Sequence, residues 1–148
     1  MDEAPARLRG KASWLINKTS LHAHRLRSEA LAPVDAHGYH FAVLAALEEG
    51  EPASQADLSR RTGIDRSDMV EMVNELVDHG FVVRMPDQAD RRRNVITMTA
   101  TGRRRLAQLD DLLTQAQGEL LAPLSAAERK QLLALLGRVL AYHAERSG

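Results

Sequence analysis

The sequence predicts a mainly α-helical domain that carries one small β-hairpin. Three observations point there. Apolar residues recur at intervals of three and four along most of the 148 residues. Pro and Gly divide those runs into lengths that suit separate helices. One stretch, Phe81 to Thr99, departs from the pattern with two short β-rich runs on either side of a polar loop. The length suits a single domain, 1–148, and an aromatic content of only 3% implies an aliphatic core.

The elements follow in order. Ala6 to Leu31 reads as one long helix, because Leu8, Ala12, Leu15, Thr19, His22 and Leu26 repeat on one face. Pro33 stops it, since the residue before a proline is pushed out of the α region. A second helix, Ala36 to Glu49, carries Phe41, Leu44 and Leu47 inward and ends at Gly50 and Pro52. Ser54 opens a short helix with Asp57 as its capping partner and Leu58 as its core position. Gly63 ends that helix and Asp65 caps the next, Arg66 to His79, with Met69, Val70, Val73, Leu76 and Val77 as the expected inner face. "FVVRM" and "VITMT" are the two strands, and Pro86 to Asn94 the tip between them. Thr99 to Gly118 returns to helix, Pro123 breaks it, and the capping box "SAAE" (Ser125 to Glu128) opens a last helix that runs to about Glu145.

Leucine is too frequent in the terminal helices, 6–31 and 100–145, for them to stand alone in water. Either the chain covers them itself or a second copy does, in a twofold homodimer. Between them, 36–99 forms a distinct core: a short helix, the turn Thr62-Gly63-Ile64, a capped helix and the hairpin. A helix-turn-helix followed by a hairpin is the layout of a winged helix, in which the second helix enters the DNA major groove and the hairpin reaches the backbone or minor groove.

Charge decides between that function and a plain helical scaffold. The formal net charge is zero, yet "DQADRRRNVIT" concentrates Arg91, Arg92 and Arg93 at the hairpin tip. Arginine on a projecting tip suits a narrow minor groove, where A·T tracts deepen the negative potential. Asp90 and Arg92 are placed to pair across the tip. Ser54 and Gln55 at the start of the first helix, and Arg66, Ser67, Asp68 and Asn74 on the second, complete the expected contacts with double-stranded DNA.

The segment "SQADLSRRTGIDRSDMVEMVNELVDHGFVVRMPDQADRRRNVITMTATGRRRL" resembles the winged helix-turn-helix core of MarR-type transcriptional regulators, and "GYHFAVLAALEEG" resembles the helix that precedes it. The most specific part is "DQADRRRNVITMTATG", which is similar to that family's wing signature and the threonine-glycine start of its next helix. The resemblance covers most of the chain. It implies a dimeric repressor, or less often an activator, on a short palindromic operator. It puts Asp90 and Arg92 at the family's wing aspartate and minor-groove arginine. It also implies release of DNA by a small aromatic or phenolic anion held between the dimer helices and the winged domain. The sequence departs from the family at Glu71 and Met72, where a hydroxyl or basic residue is common. With Asp68, Glu71 and Glu75 the helix is acidic, which leaves a protein-interaction module with weak DNA binding as the competing reading. The simplest role for Glu71 and Glu75 is a solvated helix face.

For the effector, Trp14, Lys18 and His22 are spaced four apart and share a helix face, and the resemblance brings His40 near them. A ring, a cation and an imidazole suit an aromatic carboxylate. The same face would also serve as dimer core. His22 with His24, and His37 with His40, are the only pairs that invite a metal, and no HExxH-type motif supports them. No metal or cofactor is therefore expected. The absence of cysteine excludes disulfides, thiolate sites and thiol redox sensing, and fits a reducing cytoplasm. No phosphate loop, nucleophile elbow or paired-carboxylate cleft supports an enzyme. No apolar run approaches the roughly 20 residues of a membrane span, and Met1 to Arg9 lacks the apolar region of a signal peptide.

Overall fold

A computed structural model describes residues 3–147. The expected first helix is divided into α1 (Ala6–Arg9) and α2 (Ala12–Leu31). Gly10 lies at the break and Lys11 is extended. A helical glycine costs about 1 kcal/mol relative to alanine, and α1 buries no side chain that would offset it. After Leu31 the chain tightens into a 3₁₀ turn, Ala32–Val34, that contains Pro33. Asp35 then takes a left-handed conformation with φ of 53°, which a short polar side chain tolerates.

That reversal delays the next helix. α3 spans Gly38–Glu49 rather than starting at Ala36, and His37 is its N-cap. Val43, Leu44 and Leu47 of α3 are fully buried at the centre of the core. Against them pack α4 (Gln55–Thr62) and α5 (Arg66–Asp78), joined through Gly63 at φ of 74°, where only glycine is free of strain. Met69, Met72, Val73 and Leu76 form the inner face of α5. Val70, expected inside, is exposed, and Met72 takes its place. The buried set follows i, i+3, i+4, i+7 from Met69, and Val70 lies one step round the helix from it.

The hairpin pairs β1 (Val82–Pro86) with β2 (Asn94–Met98) in antiparallel register, Val82 opposite Met98 and Pro86 opposite Asn94. Both strands therefore sit one residue nearer the tip than expected. Ala53 adds a further rung by exchanging two backbone hydrogen bonds with Ile96, of 3.1 and 2.7 Å. This ties the hairpin to the entrance of α4. Helix α6 (Ala100–Leu120) packs along α2. Helix α7 (Ala126–Ser147) follows, with Ser125 and Glu128 forming the expected capping box. It buries no residue, and Leu133, Leu135, Leu136, Val139, Leu140 and Tyr142 are exposed along it.

Candidate nucleic-acid interface

The two helices of the central motif begin with caps that the sequence encodes. The Ser54 hydroxyl accepts from the Asp57 N–H and the Asp57 carboxylate accepts from the Ser54 N–H, both at 3.1 Å. The Asp65 carboxylate accepts from the Ser67 N–H at 3.2 Å. Hydrogen bonds from the Ser54 backbone and hydroxyl, then from Arg60, hold the Asp57 carboxyl down at about 2, against an ordinary value of 3.8. Ser54, expected at the DNA, is only 5% exposed, and its hydroxyl is spent on the cap. Its position at the first turn makes it a builder of the helix start rather than an outward contact. Gln55 is partly exposed beside it.

Arg66, Ser67, Val70, Glu71 and Asn74 form the exposed stripe of α5, and Asp68 is half-buried. Two acidic or polar residues on this helix are tied down. Asn74 accepts a hydrogen bond through Oδ1 from the Arg84 guanidinium of β1. Glu75 is not a free solvated residue. Its carboxylate lies 2.6 Å from His40 Nε2 on α3. His40 Nδ1 accepts from the His37 N–H, so Nε2 carries the ring proton and donates to Glu75. His37 Nδ1 in turn accepts from the Tyr39 N–H at 3.0 Å. Both Nδ1 lone pairs are thus used in capping α3, and His40 Nε2 is engaged by Glu75. Among the described residues no group of three or more His, Asp or Glu could hold an ion.

The wing tip is built around Asp90. Its carboxylate accepts from the Arg92 N–H at 3.1 Å and from Arg92 Nε at 3.4 Å, and its carbonyl accepts from the Arg93 N–H at 3.0 Å. The Arg92 side chain is 94% exposed. Arg91 is exposed and has no ion pair among the described residues. Arg93 differs. It reaches back to Asp57 at 3.3 Å and to Asp87 at 3.5 Å. Two arginines project from the tip, and the third fastens the wing to the first turn of α4. A groove of about 330 Å³ lies between these elements, lined by Ser54, Gln55, Arg84, Arg93 and Asn94.

A second, larger cleft of about 700 Å³ opens where α2, the first turn of α3 and α6 meet. Its polar lining includes His24, Arg27, His37, Tyr39 and Gln117, and its apolar lining includes Leu26, Phe41 and Leu113. Trp14, Lys18 and His22 do not line it, and His40 lies behind its wall against Glu75. Arg27 is within hydrogen-bond distance of His24 Nδ1, at 3.4 Å.

The model of the MarR family matches residues 35–93, from the residue that reverses the chain before α3 through the last arginine of the wing. The segment from α3 through the wing is thus a MarR-family match. The chain is 33% identical over 99 residues, 67% of its length, to a relative described as a putative transcriptional regulatory protein for the hcr operon of Thauera aromatica. The chain spans about three fifths of the length of that curated relative, 60%. Among solved structures it is similar to the transcriptional repressor CouR bound to a 23-mer DNA duplex, with a TM-score of 0.82, 26% identity, and coverage of 91% of this chain and 96% of that one. It is also similar to the PcaV transcriptional regulator of Streptomyces coelicolor in complex with its natural ligand, with a TM-score of 0.76, 28% identity, and coverage of 93% and 97%.

Within this MarR fold, sequence reasoning missed Arg84, Arg27 and Tyr39. Arg84 had a signal: strand alternation puts it on the same side as buried Val82, facing α5. Arg27 and His24 had the i, i+3 spacing that marks a shared helix face. Tyr39 had none, because its placement follows from the left-handed Asp35 and the shortened α3. Among the described residues no helix is long and apolar enough to cross a membrane.

Proposed function

We propose that this chain is a homodimeric, sequence-specific transcriptional repressor that binds a short palindromic double-stranded operator and leaves it when a small aromatic anion binds. The observation that carries the reading is the division of labour in the wing. Arg93 holds the hairpin on α4 while Arg91 projects unpaired and Arg92, steadied at its Nε by Asp90, keeps its side chain almost wholly exposed, the arrangement a minor-groove probe needs. The major-groove face would be Arg66, Ser67, Val70, Glu71 and Asn74, with Gln55 toward the backbone. The exposed leucine stripe of α7 gives the second subunit its seat. The effector would enter the cleft between α2, α3 and α6, its carboxylate toward Arg27 and its ring against Tyr39. Trp14, Lys18 and His22, the other candidates, lie along α2 outside that cleft.

Fluorescence anisotropy with duplex DNA flanking the gene tests the reading. Arg92→Ala should weaken binding and reduce the slope of log K against log salt by about one per subunit. Arg27→Met should leave DNA affinity unchanged and abolish release by aromatic carboxylates. A second reading is favoured by the acidic Glu71 and Asp68 on α5: a winged module that binds proteins rather than DNA. No sequence-dependent binding at low salt would decide for that alternative.

A further inference from the structure

We propose that Arg84 sets the base preference of α5 by fixing which way the Asn74 carboxamide points. The inference rests on the DNA-binding reading above and goes beyond it by assigning a specificity-determining pair.

Strand geometry dictates the contact. Side chains alternate along β1, so Arg84 lies on the side of buried Val82, and Val83 and Met85 are exposed on the other, at 41% and 45%. Arg84 therefore aims at α5 by position in the strand. Its guanidinium donates to Asn74 Oδ1. Arg84 is half-buried, and Asn74 is exposed on the same stripe as Val70 and Glu71, one helical turn away.

The chemistry follows from the inventory of an amide. Asparagine has one oxygen that accepts and one nitrogen that donates. Its usual reading of adenine is bidentate, the oxygen taking N6–H while the nitrogen donates to N7. With Oδ1 turned toward Arg84 and one of its lone pairs taken there, Asn74 presents its N–H donors foremost to the groove. Those donors are matched by guanine O6 and N7 or thymine O4, meet only N7 of adenine without the second bond to its amino group, and are mismatched to the amino group of cytosine. Glu71, one turn earlier, offers only acceptors. The helix then presents donor and acceptor separately rather than both from one amide.

Selection from a random duplex pool, followed by sequencing, tests this with the full chain. Wild type should retain guanine or thymine at one position in each half-site and discriminate against cytosine there. Arg84→Met frees the amide and should shift that position toward adenine by about tenfold, the worth of a bidentate pair, with other positions unchanged. Asn74→Asp keeps the oxygen that Arg84 holds and replaces the donor by an acceptor. It should turn the same position to cytosine, and it remains a test if Arg84→Met does not fold. The proposal is overturned if Asn74→Asp selects the wild-type bases. It is also overturned if Arg84→Met loses affinity equally for all sequences with a shallower salt slope, the signature of a phosphate contact. A wild-type protein that selects no sequence overturns the DNA-binding reading itself, and the pair with it.

Discussion

Replacing Gly102 with alanine should destabilise the fold by about 2–3 kcal/mol. Gly102 is the third residue of α6 and is buried. A Cβ there would lie 2.0 Å from the Phe81 carbonyl oxygen and 2.8 Å from Met98 Cγ. Relief requires the first turn of α6 to move away from the start of the hairpin by roughly 1 Å or more. That carbonyl also accepts from the Thr99 N–H at 3.0 Å, and the Thr99 hydroxyl donates to Gly80 O at 2.7 Å while accepting from the Gly102 N–H. Overpacking costs about 1–3 kcal/mol. Because the obstacle is backbone rather than a side-chain tip, the upper end applies, and loss of the Thr99 bond adds about 1 kcal/mol. The better helix propensity of alanine returns about 1 kcal/mol. For a chain of this size the balance corresponds to a fall of roughly 10 °C in Tm. Gly118, in the same helix, meets nothing within 4 Å, and Gly118→Ala should raise stability by about 0.5–1 kcal/mol. Circular-dichroism melts and urea titrations at one protein concentration compare the two. A Gly102→Ala protein as stable as wild type would refute the contact argument.

Three further outcomes are expected. The Asp57 carboxyl is lowered in the folded state, so the stability it contributes is present above its ordinary value of 3.8 and is lost as pH falls through about 2; urea midpoints for Asp57→Asn should vary less over that window than those of wild type. His40→Phe leaves the Glu75 carboxylate and the His37 N–H without partners; the cost should be about 1–2 kcal/mol, because Glu75 is partly solvated, and Glu75→Gln should cost less because an amide oxygen still accepts. Leu140 is 71% exposed on α7; Leu140→Glu should raise the dissociation constant of the proposed dimer at least tenfold in sedimentation equilibrium, and an unchanged constant would place the seam elsewhere.

Local chemistry made the central motif legible. Ser54 with Asp57, Asp65, Gly63 and the Thr99 to Gly102 helix start all act within four residues, and each stands where the sequence implies. The boundaries that shifted depended on balances a pattern does not weigh. Gly10 divides a helix because nothing on α1 is buried, and Asp35 adopts a left-handed turn that moves the cap of α3 to His37. The roles within the site were less legible, because they depend on contacts between distant residues. Arg93 resembles Arg91 and Arg92 until Asp57, 36 residues earlier, claims it. Glu75 resembles a surface glutamate until His40, 35 residues earlier, is brought beside it.

The uncovered stripe of α7 has a consequence for dosage. A single chain carries a 22-residue helix with no buried side chain, so under the proposed assembly completion of the molecule waits on an encounter with another. If that other is its twin, the supply of finished protein rises as the square of chain concentration while copies are few. A gene repressed by its own product under that law would be throttled weakly at first and then abruptly.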